Sequence, residues 1–581
     1  MDRWFLRNIK PKNKWNPVDY GITNLQYKLL LHRGLETPEE MISFLNPSLE
    51  DLHSPLLMKD MIKAGNLIIE SIKSKKKIRI IGDYDADGVM STVILMKGLQ
   101  RLGAKVDYFI PHRVHDGYGI NPSIVKKAKE DEISTIITCD NGIAAFEAAK
   151  MAKEMDISLI ITDHHDVVKV DGKDVLPQCY SIINPKQEVD SYPFTQICGA
   201  AVAFKLISYL YTIHGQEEII HDLFLSFVTI ATICDVMPLI NENRAIVIYG
   251  LESLEKSDNL GIKVLKEVAN IDQKKLSVYD IGFIIGPMIN SAGRLSDASH
   301  AVELFLTSNE EKAKDIGKKL YELNRERQKL TEIGLEKFEE QLQRFKNIPK
   351  CLILYEPNLH ESIVGIIAGR LKERYYRPTI VFTDGKNSLK GSGRSIEEYN
   401  MVAEIGKYRK YLESFGGHPM AAGVSVKKEV FDTFRNKVIE EIQLKDEDVV
   451  KKIRLDASLN FSDITMDLYD NINTLEPFGT GNERPLFGTK NINILNMKLL
   501  GKNKNVLKFQ LSDNGNVKEG ILFHSIKEFF NQINDNYPGY VVEDAYFGRP
   551  NPIKMDIVYS IDLNTFNGNS TIQLVIKSFR F

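Results

Sequence analysis

The stretch from residue 77 to residue 162 alternates short apolar runs with amphipathic segments of helical period. The apolar runs are strand candidates: Ile78–Ile81, Val106–Ile110, Thr135–Thr138 and Leu159–Thr162. The intervening segments predict helices: Val89–Leu102, Pro122–Glu130 and Ile143–Met155. This alternation is typical of βαβ units, in which helices cover both faces of a parallel sheet. Helical patterns then continue from Cys198 to about Leu306.

A long, highly charged segment follows, from Ser308 to about Phe345. Ser308 and Glu311 form a capping-box signature and Pro349 ends the segment, which predicts one long, mostly exposed connector helix. A second α/β region comes next. Its predicted strands are Leu352–Tyr355 and Thr379–Phe382, and its predicted helices are Val364–Glu373 and Met401–Leu412, with a glycine-rich segment before the last helix.

From about Ile453 the pattern changes to alternating β runs separated by turn residues. The predicted strands are Ile492–Leu499, Val506–Leu511, Gly520–Phe523, Met555–Leu563 and Thr571–Ile576. Five such strands with no long helix predict a small barrel. We therefore expect an α/β protein with a β-barrel at its C-terminal end. The predicted division is an N-terminal segment at 1–60, a parallel-sheet domain at 61–306, the connector at 307–347, a second α/β domain at 348–447 and the β domain at 448–581.

Composition narrows the class of protein. Of 581 residues, 43% are hydrophobic and 26% are charged, which excludes disordered and fibrous chains. The net charge of −3 excludes a uniformly basic nucleic-acid coat, so any polyanion must bind at local patches. The longest apolar run, Leu223–Cys234, is shorter than the roughly 20 residues of a membrane span.

The start of the chain lacks the apolar core of a secretory signal. Five scattered cysteines without a CxxC pair indicate reduced thiols. We therefore expect a soluble, cytoplasmic protein without a membrane partner.

Three carboxylates, Asp83, Asp85 and Asp87, lie between the first predicted strand and its helix. In an open parallel sheet this junction is the ligand crevice. One aspartate at a helix start is more often a cap, but three together repel one another unless a cation neutralises them. Oxygen ligands of this kind suit Mg²⁺ or Mn²⁺.

The next strand ends carry similar side chains. Asp140 follows the third predicted strand, and Asp163-His164-His165 follows the fourth. If these strands are neighbours, the carboxylates and His164 converge on one crevice. Asp235, after a long apolar run, is by itself better explained as a helix-end carboxylate with a structural hydrogen bond. As a set, carboxylates and imidazoles without a thiolate match a two-metal phosphoryl-transfer site.

The DYDADG run and the Asp163-His164-His165 triplet resemble the DHH phosphoesterase superfamily. Further motifs follow the order found in the RecJ family of single-strand-specific 5′→3′ DNA exonucleases: PHRVHDGYGIN at 111–121, INPKQ at 183–187, ICGAAVAFKL at 197–206, GPMINSAGRL at 286–295, SGRS at 392–395, GGHPMAAG at 416–423, LEPFGTGNERP at 475–485 and FNGNSTIQLVI at 566–576. The resemblance implies a DHH domain, a DHH-associated domain and an OB-like barrel. It also implies single-stranded DNA as substrate, a role in repair and recombination, and a helicase and a single-strand-binding protein as partners.

The resemblance further implies which residues hold two divalent cations, Mn²⁺ or Mg²⁺: Asp85, Asp87, Asp140, His164 and Asp235, with Asp83 as a less certain ligand. Asp140 would bridge the two ions, and the catalytic residues would be Asp140, His164 and His165. Three positions depart from the family pattern. Ile81 replaces a histidine found in some relatives, Met288 replaces an arginine, and Leu359 replaces the tryptophan of a GWH motif.

A 5′-acting enzyme must also hold the terminal nucleotide. The candidates are Arg113, Arg294, His360, Ser392, Arg394 and His418. Arginine suits phosphate because its fork donates two parallel hydrogen bonds, although a lone arginine is as often a surface charge. In the β domain, lysines and aromatic residues predict a single-strand platform, although strand aromatics are usually core. They are Lys490, Lys498, Lys502, Lys504, Lys508, Phe509, Phe523 and Tyr559.

Two other functions stay open. A DHH phosphodiesterase for nano-RNA or cyclic dinucleotides would need only the first two α/β regions, so the connector and the β domain count against it. A non-catalytic replication scaffold would be expected to lose the carboxylates, which are all present here.

Overall fold

The structure, a computed structural model, describes residues 2–12, 15–113, 115–501, 504–566 and 568–581. Val114, Lys502 and Asn567, which fall within the predicted motifs and the predicted platform, lie outside the described residues. The described residues form two compact units, one from 1–46 with 445–581 and the other from 47–444. Strand β1 (Arg3–Leu6) and helices α1 (Asn24–Leu31) and α2 (Pro38–Leu45) open the first unit.

The second unit begins with a parallel sheet. Its first elements are α3 (Met61–Lys73), β2 (Lys77–Ile81), α4 (Ala86–Arg101), β3 (Lys105–Phe109), α5 (Pro122–Glu130), β4 (Thr135–Cys139), α6 (Phe146–Glu154), β5 (Ser158–Thr162), β6 (Val168–Val170), β7 (Lys173–Val175) and β8 (Ser181–Ile183). The five-stranded sheet has the order β3-β2-β4-β5-β8, with every pairing parallel. The strands β2, β4 and β5 are therefore neighbours, which is the condition for their carboxyl ends to form one crevice.

Both faces of this sheet are covered, so β4 is buried along its whole length and β5 at every residue but its first. Ile78 and Ile80 of β2 point into the larger core, built with α4 and the helices that follow the sheet. Ile81 points to the opposite face and packs with residues of α5 and α6. Ile81, where some relatives have a histidine, is therefore a core residue in this chain.

A helical layer follows the sheet, as predicted. It contains α7 (Gly199–Ile213), α8 (Ile220–Cys234), α9 (Asn241–Lys256), α10 (Leu260–Val268), α11 (Val278–Asp280), a π-helical turn (Ile281–Ile285), α12 (Gly286–Leu295) and α13 (Ser299–Leu306). The connector is one unbroken helix, α14 (Glu310–Gln343). Its N-cap is Asn309 rather than Ser308, because the Asn309 side chain accepts the hydrogen bond of the Lys312 backbone N–H.

The second sheet of this unit is mixed and has the order β12-β13-β11-β10-β9. Its elements are β9 (Leu352–Tyr355), α15 (Val364–Tyr375), β10 (Thr379–Asp384), β11 (Leu389–Arg394), α16 (Met401–Gly406), β12 (Leu412–His418), β13 (Ala421–Val426) and α17 (Phe431–Glu441). The prediction of a helix over Met401–Leu412 is wrong beyond Gly406, because β12 begins at Leu412. The glycine-rich segments are strands, whose low β propensity hid them in the sequence.

The first unit ends in a closed five-stranded barrel, which confirms the predicted β domain. Its elements are β14 (Lys452–Leu455), β15 (Ala457–Ser458), α18 (Met466–Asn473), β16 (Phe487–Leu500), β17 (Val506–Asp513), β18 (Asn516–Leu522), α19 (Ile526–Asn536), α20 (Gly539–Tyr546), β19 (Lys554–Phe566) and β20 (Asn569–Arg580). The order β16-β17-β18-β20-β19 closes through pairing of β19 with β16. Helices α19 and α20, inserted between β18 and β19, were not predicted.

Two aromatic residues of the predicted nucleic-acid platform are part of the barrel core. Phe509 and Tyr559 are fully buried, and Tyr559 lies edge-on to Phe461. Phe523 is exposed, as are Lys490, Lys498 and Lys504, while Lys508 pairs with Glu519. Stacking by Phe509 and Tyr559 is thus excluded. None of the described helices is both long enough and apolar enough to cross a bilayer.

Candidate metal centre

The carboxyl ends of β2, β4 and β5 bring acidic and imidazole side chains together. Asp83 lies in the turn after β2, Asp140 directly follows β4, and His164 lies two residues after β5. The His164 Nε2 atom is 3.2 Å from Asp140 Oδ1, 3.6 Å from Asp87 Oδ2 and 3.6 Å from Asp235 Oδ2. Four separate segments of the chain therefore converge on one point.

Three overlapping groups of side chains have ligand atoms within 4.8 Å of one another. The groups are Asp140 with His164 and His165, Asp87 with His164 and Asp235, and Asp83 with Asp85 and Asp140. Asp140 and His164 each belong to two of these groups, so the three groups form one continuous cluster.

The local structure fixes each carboxylate. Asp85 caps α4 through Oδ1, which accepts from the backbone N–H groups of Asp87 and Gly88. Both oxygens of Asp87 accept hydrogen bonds from the start of α7, from Gly199 at 2.6 Å and Ala200 at 2.7 Å. The cap and the metal-ligand interpretations of Asp85 are therefore compatible, because the cap uses only one of its oxygens.

Close backbone approach requires glycine at two positions of this cluster. A Cβ at Gly88 would lie 2.6 Å from the backbone nitrogen of Asp83, and one at Gly199 would lie 2.7 Å from the Cβ of Asp140. Asp140 itself has a φ of +61°, in the left-handed region that aspartate adopts more readily than most residues. The turn after β4 and the start of α7 are thus packed against each other around the Asp140 side chain.

Several ligand oxygens are buried and have no hydrogen-bond partner among the described residues: Asp83 Oδ1, Asp140 Oδ1 and Asp235 Oδ2. Asp235, taken alone, was interpreted from the sequence as a helix-end carboxylate with a structural hydrogen bond. Its unpartnered Oδ2 argues against that interpretation. Buried, unpartnered carboxylate oxygens are costly, and divalent cations would satisfy them. The donor set therefore fits hard cations bound by oxygen and imidazole.

Burial and mutual repulsion raise the pKa values of the carboxylates in this cluster. Burial, and then the neighbouring carboxylates, hold the pKa of Asp140 well above its usual range. Burial, followed by the charge of Asp85, also holds the pKa of Asp83 well above its usual range. The same two causes raise the pKa of Asp87 to about 7. Burial, and then Asp87, raise the pKa of Asp235 to about 8. A cluster of this charge calls for cations.

The two histidines have different environments. Burial, followed by the charge of His165, lowers the pKa of His164 to about 4, so its imidazole is neutral and can act as a ligand. Burial opposes protonation of His165, but its hydrogen bond to Asp163 and the negative charges of Asp163, Asp235 and Asp87 together outweigh that effect and raise its pKa to about 9.

Asp163 is a residue of the site that the sequence analysis did not assign. Its Oδ1 accepts from His165 Nδ1 at 2.8 Å and from the backbone N–H groups of His164 and His165, and its Oδ2 accepts from the Ile143 N–H. It therefore orients the two histidines instead of facing the cluster. The one sequence feature that pointed to a role for Asp163 was its position as the first residue of the Asp163-His164-His165 triplet.

Tyr118 is a second such residue. Its hydroxyl donates to the Asp140 carbonyl at 2.8 Å and lies 3.3 Å from His165 Nε2. It belongs to the GYG part of the 111–121 motif, and its ring lies edge-on to Tyr84.

Four of the predicted substrate-binding residues, Arg113, Arg294, Ser392 and Arg394, line one cavity of about 410 Å³. Arg370 lines it as well. Arg294 donates to the Ser362 carbonyl, and Arg394 donates to the Ser392 hydroxyl. Burial, followed by the charge of Arg113, lowers the pKa of Arg294 to about 10. The same two causes lower the pKa of Arg394. This arginine cavity therefore favours an anion.

The two predicted histidines lie outside the arginine cavity. His360 Nδ1 is 2.7 Å from the hydroxyl of Ser362, which lines the cavity, so His360 lies at its rim. His418, at the end of β12, lies 3.8 Å from Asp166, the residue after the histidine pair. Met288 is buried and is not among the residues that line the cavity.

Comparison with known proteins agrees with this geometry. Three family models match: the DHH family N-terminal domain at 77–232, the DHHA1 domain at 349–444 and the RecJ OB domain at 455–578. Together they cover the parallel-sheet region, the second α/β region and the barrel.

The chain is 34% identical to the single-stranded-DNA-specific exonuclease RecJ of Bacillus subtilis, over 99% of this chain and 70% of that protein. It is 31% identical to the exonuclease of the same name from Haemophilus influenzae, over 97% and 98%. Among solved structures, RecJ of Thermus thermophilus in complex with Mn²⁺ matches with a TM-score of 0.82 and 26% identity, over 100% of this chain and 79% of that one.

Proposed function

Because this chain belongs to the RecJ family of DHH phosphoesterases, we propose that it is a metal-dependent exonuclease that degrades single-stranded DNA from the 5′ end and releases mononucleotides. The observation that carries the proposal is the convergence of Asp87, Asp140, His164 and Asp235, from four segments, on one cluster. The Haemophilus relative, which this chain matches over almost its whole length, is named as a single-stranded-DNA-specific exonuclease.

Two divalent cations, Mn²⁺ or Mg²⁺, would be held by Asp83, Asp85, Asp87, Asp140, His164 and Asp235. Bound there, they would supply a nucleophile from water and neutralise the charge that develops on the phosphate. The unpartnered oxygens of Asp83, Asp140 and Asp235 are the groups that such ions would satisfy. The Thermus relative was solved with Mn²⁺.

The protein's own groups orient the reaction. Asp163 holds His165 through Nδ1, and the remaining ring nitrogen, 3.3 Å from the Tyr118 hydroxyl, would serve the phosphate or the leaving 3′ oxygen. Asp140 is held by its position against Gly199 and by the Tyr118 hydroxyl on its carbonyl. The catalytic set we propose is therefore Asp140, His164 and His165, with Asp163 and Tyr118 as positioning residues.

The arginine cavity supports the proposal that degradation begins at the 5′ end. Hydrolysis adds water to phosphorus and breaks the bond from phosphorus to the 3′ oxygen of the terminal nucleotide, which leaves a 5′-phosphate on the shortened strand. Arg113, Arg294, Ser392 and Arg394 would bind that 5′-phosphate. Each turnover would regenerate the group that the cavity recognises, with His360 and His418 at its margin.

The test uses single strands labelled at the 5′ or the 3′ end, a duplex and a cyclic dinucleotide, with Mn²⁺ or with EDTA. Release of mononucleotide first from the 5′ end of single strands is the expected result. Cleavage of the cyclic dinucleotide alone would contradict the proposal, and so would an absence of metal-dependent cleavage.

Asp140→Ala should abolish hydrolysis while the fold remains intact. Asp258→Ala, at an exposed carboxylate that pairs with Lys263, is the matched control and should retain activity. Substantial metal-dependent activity in Asp140→Ala would refute the assignment.

Arg394→Ala should reduce the preference for a 5′-phosphate over a 5′-hydroxyl strand, and an unchanged preference would refute the role of the cavity.

We also propose a cytoplasmic location, a role in DNA repair and recombination, and cooperation with a helicase and a single-strand-binding protein. These proposals rest on membership of the family. A pull-down of the purified full chain with each partner would test the last of them.

A further inference from the structure

Two exposed aromatic rings stack on each other in the helical segment just before α12. Tyr279 and Phe283 have ring centroids 4.9 Å apart and ring planes 20° apart. Their exposed fractions are 64% and 68%. Large rings are usually buried, so an exposed stacked pair is a feature that needs a ligand or a partner to explain it.

The backbone beneath the pair is unusual as well. Phe283 lies in the π-helical turn Ile281–Ile285, between α11 and α12. Single π-helical turns are rare and occur often at functional sites. Val236, directly after Asp235, is 63% exposed and has a φ of +57°, which is costly for a β-branched residue. Two irregularities of the backbone thus occur beside the metal cluster.

The helical run from α11 to α12 connects the aromatic pair with the metal centre and the arginine cavity. A Cβ at Gly286 would overlap Cys234, the residue before Asp235. Further along, Asn290 accepts the Ala86 N–H beside Asp85, and Arg294 lines the arginine cavity. The order along this run is therefore aromatic pair, Asp235, Asp85 and cavity.

Phe283, Asn290 and Arg294 are seven and four residues apart, so they lie close to one face of the run. The face that meets the metal centre and the cavity thus continues to the aromatic pair. From Gly286 to the middle of the pair is about five residues, or about 7 Å at 1.5 Å per residue. At roughly 3.4 Å per stacked nucleotide, that distance spans about two nucleotides.

We propose that Tyr279 and Phe283 form a stacking platform for the bases of single-stranded DNA on the 3′ side of the bond that is cleaved, at about the third nucleotide from the 5′ end. This inference rests on the proposed function, because the 5′-phosphate must occupy the arginine cavity for the strand to run in this direction. Aromatic side chains bind successive bases without sequence preference, which suits an enzyme that degrades any sequence. The platform would hold the shortened strand between turnovers.

The charge around the pair supports bases rather than backbone as the group bound. Lys274 is paired with Asp280 at 2.5 Å, and Lys275 forms no ion pair with another described residue. Because the charge of Lys274 is balanced by Asp280, stacking would supply most of the affinity. The loss on removing a ring should therefore depend little on salt, unlike a loss of phosphate contacts.

The experiment measures binding of a 5′-phosphorylated 12-nucleotide single strand to the full chain in EDTA, which prevents hydrolysis. Phe283→Ala should weaken binding about 5- to 150-fold, since stacking contributes about 1–3 kcal/mol per base. Phe283→Trp should restore most of it. Phe345→Ala, at another exposed phenylalanine of the same unit, is the control and should bind like wild type.

The position of the platform is tested with 2-aminopurine, whose fluorescence falls on stacking. Quenching at the third nucleotide should be lost in Phe283→Ala, while the probe at the tenth nucleotide should not respond. Hydrolysis of a 5′-phosphorylated dinucleotide, too short to reach the platform, should be unchanged in Phe283→Ala.

Unchanged affinity for the 12-nucleotide strand in Phe283→Ala would overturn the proposal and would leave the rings to a protein partner. An equal loss of dinucleotide hydrolysis would also overturn it, because the substitution would then have disturbed the metal centre. If wild type hydrolyses neither substrate with Mn²⁺, the proposed function itself fails, and this outcome is distinct from the other two.

Discussion

Gly199 offers a test of how closely the metal centre is packed. Gly199 is the first residue of α7, and its N–H donates to Asp87 Oδ2. A methyl group added there would lie 2.7 Å from Asp140 Cβ and 2.9 Å from Asp140 Oδ1. The helix cannot retreat from Asp140 without weakening its hydrogen bonds to Asp87, so Gly199→Ala should displace one or both ligands.

The size of the effect can be worked from these contacts. Overpacking by one methyl group costs about 1–3 kcal/mol, and alanine in a helix recovers about 0.5–1 kcal/mol of it relative to glycine. The net strain is then up to about 2 kcal/mol. If it is relieved by moving a ligand, it should appear as metal affinity that is weaker by up to about 30-fold.

The assay is the Mn²⁺ dependence of single-strand hydrolysis, together with thermal unfolding in EDTA. Gly199→Ala should need several-fold more Mn²⁺ for half-maximal activity. The matched control is Gly406→Ala in α16, where the added methyl group would meet only Phe415 Cε1 at 3.6 Å. If Gly199→Ala had the Mn²⁺ dependence and the unfolding midpoint of wild type, the packing argument would be refuted.

Two further predictions concern buried carboxylates. Both oxygens of Asp163 accept hydrogen bonds, from the Ile143 N–H and from His165, and an amide can accept with only one of its two terminal atoms. Asp163→Asn should therefore lose at least one hydrogen bond and lower the free energy of unfolding by about 1–3 kcal/mol. Urea unfolding measures this, with exposed Asp166→Asn as control, and equal stability of the two variants would contradict it. In the other unit, burial opposes ionisation of Asp456, but hydrogen bonds from His32 and the Leu486 N–H, together with the charges of Arg7 and Arg33, outweigh it and lower the pKa of Asp456. Because the pKa of Asp456 is lower in the folded state, its ionised carboxylate stabilises the unit above about pH 4, and this stabilisation is lost as the pH falls further. The midpoint of thermal unfolding should therefore fall from pH 6 to pH 3. An identical dependence of the midpoint on pH in Asp456→Asn would argue against it.

The parallel sheet and the metal cluster were predictable from the sequence for one physical reason. Strands buried on both faces are continuously apolar, and the chain turns polar where they end, so the carboxylates after β2 and β4 stand out. The neighbouring order β2-β4-β5 then brings them together. The barrel was predictable because its strands alternate with clear turn residues.

Other features depend on contacts between distant parts of the chain. The strands β11 and β13 are rich in small residues and carry no β pattern, and their structure comes from pairing with each other and with β10. The burial of Phe509 and Tyr559 follows from closure of the barrel, which strand patterns do not report. The role of Asp163 in orienting His165 depends on a turn that folds the side chain back on its own backbone.

Four predicted substrate residues come from three regions of the sequence and nevertheless line one cavity. No local pattern groups Arg113 with Arg394, and only the family resemblance suggested it. The stacked pair of Tyr279 and Phe283 was not singled out at all, because aromatic residues four apart on a helix usually indicate core. Exposure, which only the structure gives, distinguishes the two cases.

The central claim is that this chain binds a pair of divalent cations that share Asp140. Equilibrium dialysis with Mn²⁺, followed by electron paramagnetic resonance of the bound ion, tests it most directly. Two Mn²⁺ per chain with the spectrum of a coupled pair is the predicted result, falling to at most one uncoupled ion in Asp140→Asn. Binding of no Mn²⁺ or of one isolated ion to the wild-type chain, or an unaltered pair in Asp140→Asn, would contradict the account.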